Sequence, residues 1–499
     1  MATLKELYDD NPWWESQDNI DNDPKITDWN ESKIKWDPRI RSTFDYSTDI
    51  IYSIRGPRQV GKTTLIKLQI RDFLKKGISP WNIMYYSFDT DKSSKRLVEL
   101  IENYLNSTKR LRGKGRSYLF LDEVSKVPDW FDGIKRLHDQ GKLKNFTVVV
   151  SGSHTIDLKK SLENLTGRRG KTNDAYDKVL LPMKFSEYVM IRDESLKSYI
   201  IKNNLNNRTK RKKLFTDIMK QTIDEDLDQL QTKLQTLNDL LIDYMITGGN
   251  PEVVDTYHQK HFLDNYLYTK QLDYILGDLK NLNKNEQYFR QIITNIINNN
   301  EWPHSWLSIQ KDTDIRNSDT VADYVDILQN MFVLTMFHFY DPSKKRIMIR
   351  KNKKIHFHDP FFFHSLKNWI TGGKSFQNSL SFVQNHTNQG FLAEGIVGDH
   401  LIRLAFGLNE QKQNFNYHNH VFYWNKERTT EVDFIFKTEN IELPIEVKFQ
   451  NKIESKHFKG LKYYNEISQC DSSLMISKND MDTTDNSIII PASVFLLLI

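Results

Sequence analysis

The chain has 499 residues, with 70 Lys and Arg against 65 Asp and Glu, a formal charge of +5. That length predicts about two to five domains, and it buries a stable core without covalent staples. Spread over it, the charge is too small for a polycationic nucleic-acid coat, so any basic surface must be local. The single cysteine, Cys470, excludes a disulfide framework and every cysteine-rich zinc site. The polar, acidic start (MATLKELYDDNPWW) reads as neither a signal peptide nor a transit peptide. No apolar run approaches the roughly 20 residues that span a bilayer. The expectation is a cytoplasmic protein with no membrane partner, in which the apolar run 494–499 docks on the core as a closing strand or helix.

Residues 1–41 are rich in Asp, Asn, Trp and Pro without a sustained period, and read as an arm over the first domain, anchored by Trp13, Trp14 and Trp36. Between 49 and 185, apolar runs at 51–54, 83–88, 118–121, 146–150 and 179–181 alternate with helical patterns. Continuous apolar strands separated by helices predict an α/β core with a parallel sheet covered on both faces. The segment 194–282 is charged and helical, with Leu227, Leu230, Leu234, Leu237 and Leu241 spaced as a packing stripe. It is broken by the turn signal Thr247-Gly248-Gly249-Asn250-Pro251. Helices are expected at 286–298 and 320–334, then two strands at 346–349 and 354–357 around a charged turn. After a Gly/Ser/Asn-rich joint at 372–390, a helix (390–405) and strands at 421–423, 431–436 and 443–449 make a final α+β unit. The expected divisions are an arm (1–41), an α/β core (42–193), a helical segment with an insertion (194–282), a unit of helices and two strands (283–372) and a closing α+β unit (373–499).

Two constellations carry chemistry. In the first, the strand at 51–54 runs into Gly56-Pro57-Arg58-Gln59-Val60-Gly61-Lys62-Thr63-Thr64 and then a helix, the spacing and setting of a P-loop. Glycines let successive backbone N–H groups curl around phosphate oxygens, and the helix adds the positive end of its dipole. Lys62 is a mobile charge for the β- and γ-phosphates, and the Thr63 hydroxyl is a Mg²⁺ ligand. Asp122 and Glu123 close a second apolar strand. Asp122 is expected in the Mg²⁺ shell and Glu123 as the base that orients water, so ATP and Mg²⁺ are the expected cofactors. Ser151 and Ser153, at the end of the strand 146–150, read either as γ-phosphate sensors or as a plain turn. Arg168, in Gly167-Arg168-Arg169, reads as a charge-neutralising guanidinium acting on its own nucleotide or a neighbour's, or as a solvated basic turn.

The second constellation is Asp433 on one strand and Glu446-Val447-Lys448 on the next, with Glu394 on the preceding helix. Two carboxylates that chelate Mg²⁺ beside a lysine that stabilises the attacking water are the parts of a metal-dependent phosphodiesterase. A paired polar cluster on a nuclease-type fold is the alternative. Lys344, Lys345, Arg346, Arg350, Lys351, Lys353 and Lys354 flank the two short strands after the second helix. They read as a basic wing that grips double-stranded DNA through its phosphates, or as a solvated hairpin. The basic run 208–213, followed by acids at 224–228, reads as a solvated helical face, and His356 and His358 as structural rather than metal-binding.

Taken together, these motifs, with Leu181-Pro182-Met183-Lys184-Phe185-Ser186-Glu187-Tyr188 and Phe357-His358-Asp359-Pro360, resemble the prokaryotic predicted P-loop ATPases of the AAA superfamily. In that family a helical lid and a winged helix follow the core, and an uncharacterised C-terminal domain of the restriction-endonuclease-like, PD-(D/E)XK-type fold closes the chain. The resemblance runs from about residue 42 to the end. It implies ATP binding at Gly56 to Thr64, Mg²⁺-linked carboxylates at Asp122 and Glu123, and an arginine sensor or finger at Arg168, in a protein able to oligomerise. The polar segment 197–241 and the Trp-rich arm depart from the family pattern. The expected function is Mg²⁺-dependent ATP hydrolysis coupled to a conformational change of a DNA-binding or nuclease-like module. The alternatives are an ATP-regulated DNA nuclease and a nucleotide-switched, non-enzymatic DNA-binding or scaffold protein.

Overall fold

The structure is a computed structural model that describes residues 4–89, 93–152, 158, 161–172, 174–299, 303–426, 430–484 and 486–499. The chain divides into two compact units, Met1–Leu181 with Gln411–Asn414, and Pro182–Glu410 with Phe415–Ile499.

The first unit is built on five parallel strands, β1 (Ile50–Arg55), β2 (Ile83–Ser87), β3 (Ser117–Asp122), β4 (Phe146–Ser151) and β5 (Asp177–Val179). Their spatial order is β2-β3-β4-β1-β5. β3 and β4 are buried throughout, as runs without polar alternation require. Because all strands run the same way, Arg55, Ser87, Asp122 and Ser151 share one edge, and β4 brings Ser151 between the ends of β1 and β3. β5 lies two residues before the run expected at 179–181, although the Leu180 N–H still reaches Arg55 O at 2.8 Å.

The arm occupies the open side of the edge strand β2. The Asn11 amide imitates a neighbouring strand: its Nδ2 donates to Tyr85 O at 2.8 Å and its Oδ1 accepts the Tyr85 N–H at 2.7 Å. The indoles of Trp13 and Trp14 both donate to Ile83 O, at 3.3 and 2.9 Å, and Trp14 stacks on Trp81. An edge strand left bare would invite pairing with another chain, and here side chains use up its free donors and acceptors.

The second unit contains β6 (Leu334–Asp341), β7 (Arg346–Ile347), β8 (Lys353–Phe357), β9 (Val421–Lys426), β10 (Thr430–Lys437), β11 (Glu442–Val447), β12 (Ser473–Ser477), β13 (Asp482–Thr484) and β14 (Ser487–Pro491). They form one sheet in the order β13-β14-β12-β11-β10-β9-β6-β7, with β8 also on β6. Two expectations are corrected here. The helix predicted at 320–334 is Ser318–Asn330, ended by Phe332 at φ +59°, and the aromatic run that follows is β6. β6 pairs antiparallel with β8 and parallel with β9, so a boundary at 372/373 does not separate two sheets. The missed strand is mostly buried, and its uninterrupted aromatics show no alternation to read.

Helices Trp306–Lys311 and Ser318–Asn330 lead into β6, and a bridge between His304 and Lys353 gives β8 a second partner. The leucine stripe lies on two helices, Glu225–Leu230 and Leu234–Thr247, and buries Leu227, Leu230, Leu237 and Leu241. Residues 494–499 are buried in and just after the helix Ala492–Leu498. Among the described residues, no helix is long and apolar enough to cross a membrane.

Candidate functional site

β1 ends in a loop whose backbone no other sequence adopts easily. Gly56 has φ +150°, and a Cβ there would lie 2.0 Å from Leu180 O, so the position is closed to every side chain. Gln59 and Gly61 also take positive φ, at 60° and 99°, before the helix Lys62–Lys75 begins. The Lys62 ammonium donates to Gly56 O at 2.9 Å and Pro57 O at 2.8 Å, across the loop itself. Thr63 Oγ1, one residue on, donates to Asp122 Oδ2 at 2.7 Å.

Asp122 is the hub. Its Oδ2 also accepts the Tyr85 hydroxyl at 3.1 Å, while its Oδ1 accepts the Ser151 hydroxyl and the Glu123 N–H at 3.1 Å. The Glu123 N–H lies 3.3 Å from Ser151 Oγ, and Glu123 holds a left-handed backbone (φ 52°, ψ 31°). A non-glycine residue in that region costs energy and persists only where its surroundings hold it, which at this position are Asp122 and Ser151. A buried carboxylate and an adjoining hydroxyl are hard oxygen donors that fit Mg²⁺, and the open space beside Gly61, just before the helix N-terminus at Lys62, fits a phosphate. Sequence reasoning missed Tyr85, whose only signal is its place at the end of a neighbouring strand. Ser153 lies outside the described residues.

In the second unit, Lys354, His356 and His358 alternate onto one face of β8, toward the helix His386–Leu408. Lys354 Nζ is 2.6 Å from Asp433 Oδ1 and also contacts Glu394. Asp433 Oδ2 accepts the Val447 N–H at 2.8 Å, and Glu446 Oε2 accepts the Asp433 N–H at 3.3 Å. Lys448 Nζ sits 2.5 Å from Glu446 Oε1 and 3.9 Å from Asp433 Oδ2, and His356 Nε2 sits 3.3 Å from Glu394 Oε1. The register of β10 on β9 shifts between Val432 and Ile435, a bulge at Asp433 of the kind that re-aims a side chain. All four residues expected from the sequence are therefore brought together, and Lys354 joins them.

Burial and the neighbouring Asp433 push the Glu446 carboxyl up, against the pull of Lys448. Burial acts against the charged form of Glu394 too, but Lys354 and His356 outweigh it and hold the group below its usual value. Burial likewise opposes the Lys354 charge, and Asp433 and Glu394 overcome it. Among the described residues, no three His, Cys, Asp or Glu side chains converge as ligands of a metal ion. With an ammonium between two of its carboxylates, this cluster does not fit Mg²⁺.

The expected DNA-contacting residues divide in two. Lys353 and Lys354 are each only 7% exposed, Lys353 over the Trp306 ring and Lys354 on Asp433, so neither is available to a duplex. Lys344, Lys345, Arg346, Arg350 and Lys351 are exposed around β7. The solvent face of the helix Ser318–Asn330 carries Asp319, Asp323 and Asp326.

Residues 48–189 match the family model described as an AAA domain. The chain carries a P-loop ATPase domain of the AAA type. Two further models match, both domains of unknown function, DUF8612 over residues 238–372 and DUF4143 over residues 389–495. The uncharacterized protein MJ1544 of Methanocaldococcus jannaschii is 23% identical over 401 residues, covering 78% of this chain and 73% of that protein. Among solved structures, the Walker-type ATPase PABY2304 of Pyrococcus abyssi is 14% identical (70% of this chain, 97% of that one, TM-score 0.37). Thermotoga maritima RuvB is 14% identical (67% and 89%, TM-score 0.27). Aeropyrum pernix Orc1, solved in complex with DNA, is 11% identical (64% and 86%, TM-score 0.27).

Within the ATPase domain, Arg168 stands away from the phosphate loop. Arg169 O accepts the Ile51 N–H at the start of β1, and Gly170 packs against Asp49, so this turn lies at the amino edge of the sheet, opposite Gly56. There Arg168 pairs with Asp139 at 2.7 Å, and Arg169 pairs with Asp177 at 3.0 Å and lies over the Tyr176 ring. Action of Arg168 on its own nucleotide is thereby corrected: a β-strand's length separates the two.

Proposed function

We propose that the ATPase domain hydrolyses ATP to ADP and phosphate with Mg²⁺, and that turnover drives a conformational change in the C-terminal module. The convergence of Thr63, Ser151 and Glu123 on Asp122 carries this reading. The loop amides from Gly56 to Thr64 bind the phosphates, helped by the helix that starts at Lys62. Lys62 leaves the Gly56 and Pro57 carbonyls for the β- and γ-phosphate oxygens. Thr63 and Asp122 hold the metal, and Glu123 orients the attacking water while Ser151 keeps its backbone in place. Bound Mg²⁺ supplies neutralisation of the charge that develops on the phosphates.

Phosphate release should require Mg²⁺ and vanish in Lys62→Ala. Arg168, on the edge away from its own loop, is proposed to act on a neighbouring copy's nucleotide. Each of Lys62→Ala and Arg168→Ala should then be inactive alone, and a mixture should regain activity; a mixture as inactive as its parts would remove Arg168 from the mechanism.

A contact with double-stranded DNA is proposed for the exposed cations Lys344, Lys345, Arg346, Arg350 and Lys351. The acidic helix Ser318–Asn330 repels phosphate and favours backbone contact by the turn over major-groove reading. Affinity should fall with salt, and replacing Lys344, Lys345 and Arg350 with Glu should weaken all sequences alike and flatten the log–log salt slope by about 3. Unchanged binding by that triple variant would exclude the turn as the contact.

A further inference from the structure

The carboxylate cluster in the second unit carries two ammonium groups of its own, Lys354 and Lys448. Asp433 and Glu394 come from a strand and a helix and meet at one point, where a shared divalent cation would be expected. That point is taken by the Lys354 ammonium, 2.6 Å from Asp433 Oδ1 and in contact with Glu394. The second Asp433 oxygen is used by the Val447 N–H, and Glu446 is engaged by Lys448 at 2.5 Å.

Lys354 is not a surface lysine that has folded inward. It is one of five consecutive β8 residues registered against β6, from Leu334↔Phe357 to His338↔Lys353, and its neighbour Lys353 faces the bridge to His304. That pairing fixes the Lys354 backbone, and the residue is only 7% exposed, its side chain packed inside the cluster. Asp433 is 2% exposed, and a carboxylate so buried needs a positive charge beside it in its ionised form. An ammonium and a divalent cation cannot both occupy the gap between the same two oxygens.

We propose that Lys354 is the resident cation of this cluster, standing between Glu394 and Asp433 where a divalent metal would be held, so that the C-terminal module neither loads a metal nor cleaves phosphodiesters. This goes beyond the ATPase reading and does not depend on it.

Mn²⁺ is a suitable probe, titrated by electron paramagnetic resonance into the full chain without nucleotide. The wild type should show no Mn²⁺ site that disappears in Asp433→Asn. Lys354→Met keeps the length of the side chain and removes its charge, and should gain one Mn²⁺ per chain at least about 10-fold tighter than any wild-type site. Lys354→Met with Asp433→Asn should lose that gain. Mn²⁺ should also raise the melting temperature of Lys354→Met selectively, because the metal restores the missing charge. An Asp433-dependent Mn²⁺ site in the wild type, or plasmid cleavage by the wild type that Asp433→Asn abolishes, would overturn the proposal. So would a folded Lys354→Met that gains no site. If Lys354→Met does not fold, the wild-type and Asp433→Asn measurements still decide.

Discussion

Replacing Glu123 with Gln is expected to stop ATP turnover while leaving ATP bound. The two side chains have nearly the same shape, so the left-handed turn at 123 and its hydrogen bonds to Asp122 and Ser151 are kept. The amide cannot take a proton from water, and a positioned general base contributes about 10²- to 10⁴-fold to a rate. Phosphate release at saturating ATP should fall by that factor, with nucleotide affinity changed less than about threefold. Lys62→Ala should differ by losing both, because the loop is proposed to hold the phosphates through the Lys62 ammonium. Wild-type turnover in Glu123→Gln would remove the role assigned to Glu123.

The largest effect on stability is expected at Asp399, on the same helix as Glu394. Its carboxylate is 3% exposed, 2.8 Å from Arg403 Nε and 3.0 Å from His358 Nδ1. Asp399→Ala leaves the partly buried Arg403 guanidinium without its anion, and breaking a buried pair costs about 3–5 kcal/mol. Burial alone would raise the Asp399 carboxyl, but Arg403 and His358 outweigh it and hold the group below its ordinary value of 3.8. A folded value below the unfolded one means stabilisation that is full above the unfolded value and lost as pH falls through it. The stability gap between wild type and Asp399→Ala, measured by denaturant unfolding, should therefore be constant near neutrality and shrink as pH drops below 3.8. Asp359 works in the opposite sense. Burial pushes it up to about 6 although it accepts N–H groups from Gly249 and Phe361, so its contribution is present at low pH and is lost as pH rises through that value. A gap that widened in acid would contradict the assignment of Asp399 as the anion.

The phosphate loop was legible because its function is local. Gly56 to Thr64 needs particular backbone angles and a following helix, and both are written in contiguous residues. The apolar runs for β1, β3 and β4 were equally plain, since strands buried on both faces carry no polar interruptions. Asp122, Glu123 and Ser151 were visible as strand ends, but their convergence depends on β4 lying between β1 and β3, a matter of strand order. Arg168 shows the same limit. A Gly-Arg-Arg turn has one sequence signature whether it lies beside the loop or at the opposite edge of the sheet.

The carboxylate cluster divides along a similar line. Asp433, Glu446 and Lys448 share a hairpin, whose period-two geometry follows from the sequence, and Glu394 was reached through the helix before it. Lys354 was read with the wing because it stands among Lys351 and Lys353 in the chain. Its role depends on β8 pairing with β6, a strand that was not expected, since the helix predicted before it ended at its first residue, Leu334. Only the register of a strand decides which lysines of a basic run face water and which face a carboxylate.

Length, the near-balanced charge and the lone cysteine therefore established a multi-domain chain whose chemistry rests on carboxylates, lysines and a phosphate loop. The sequence by itself determined what is set over a few neighbouring residues: turn conformation, strand and helix periods, and the motif that binds a nucleotide. Tertiary structure alone decided which distant groups meet, because long-range pairing turns on strand order and register, which no local pattern encodes. It is that pairing which put Tyr85 on Asp122, moved Arg168 to the far edge, and set an ammonium between Glu394 and Asp433.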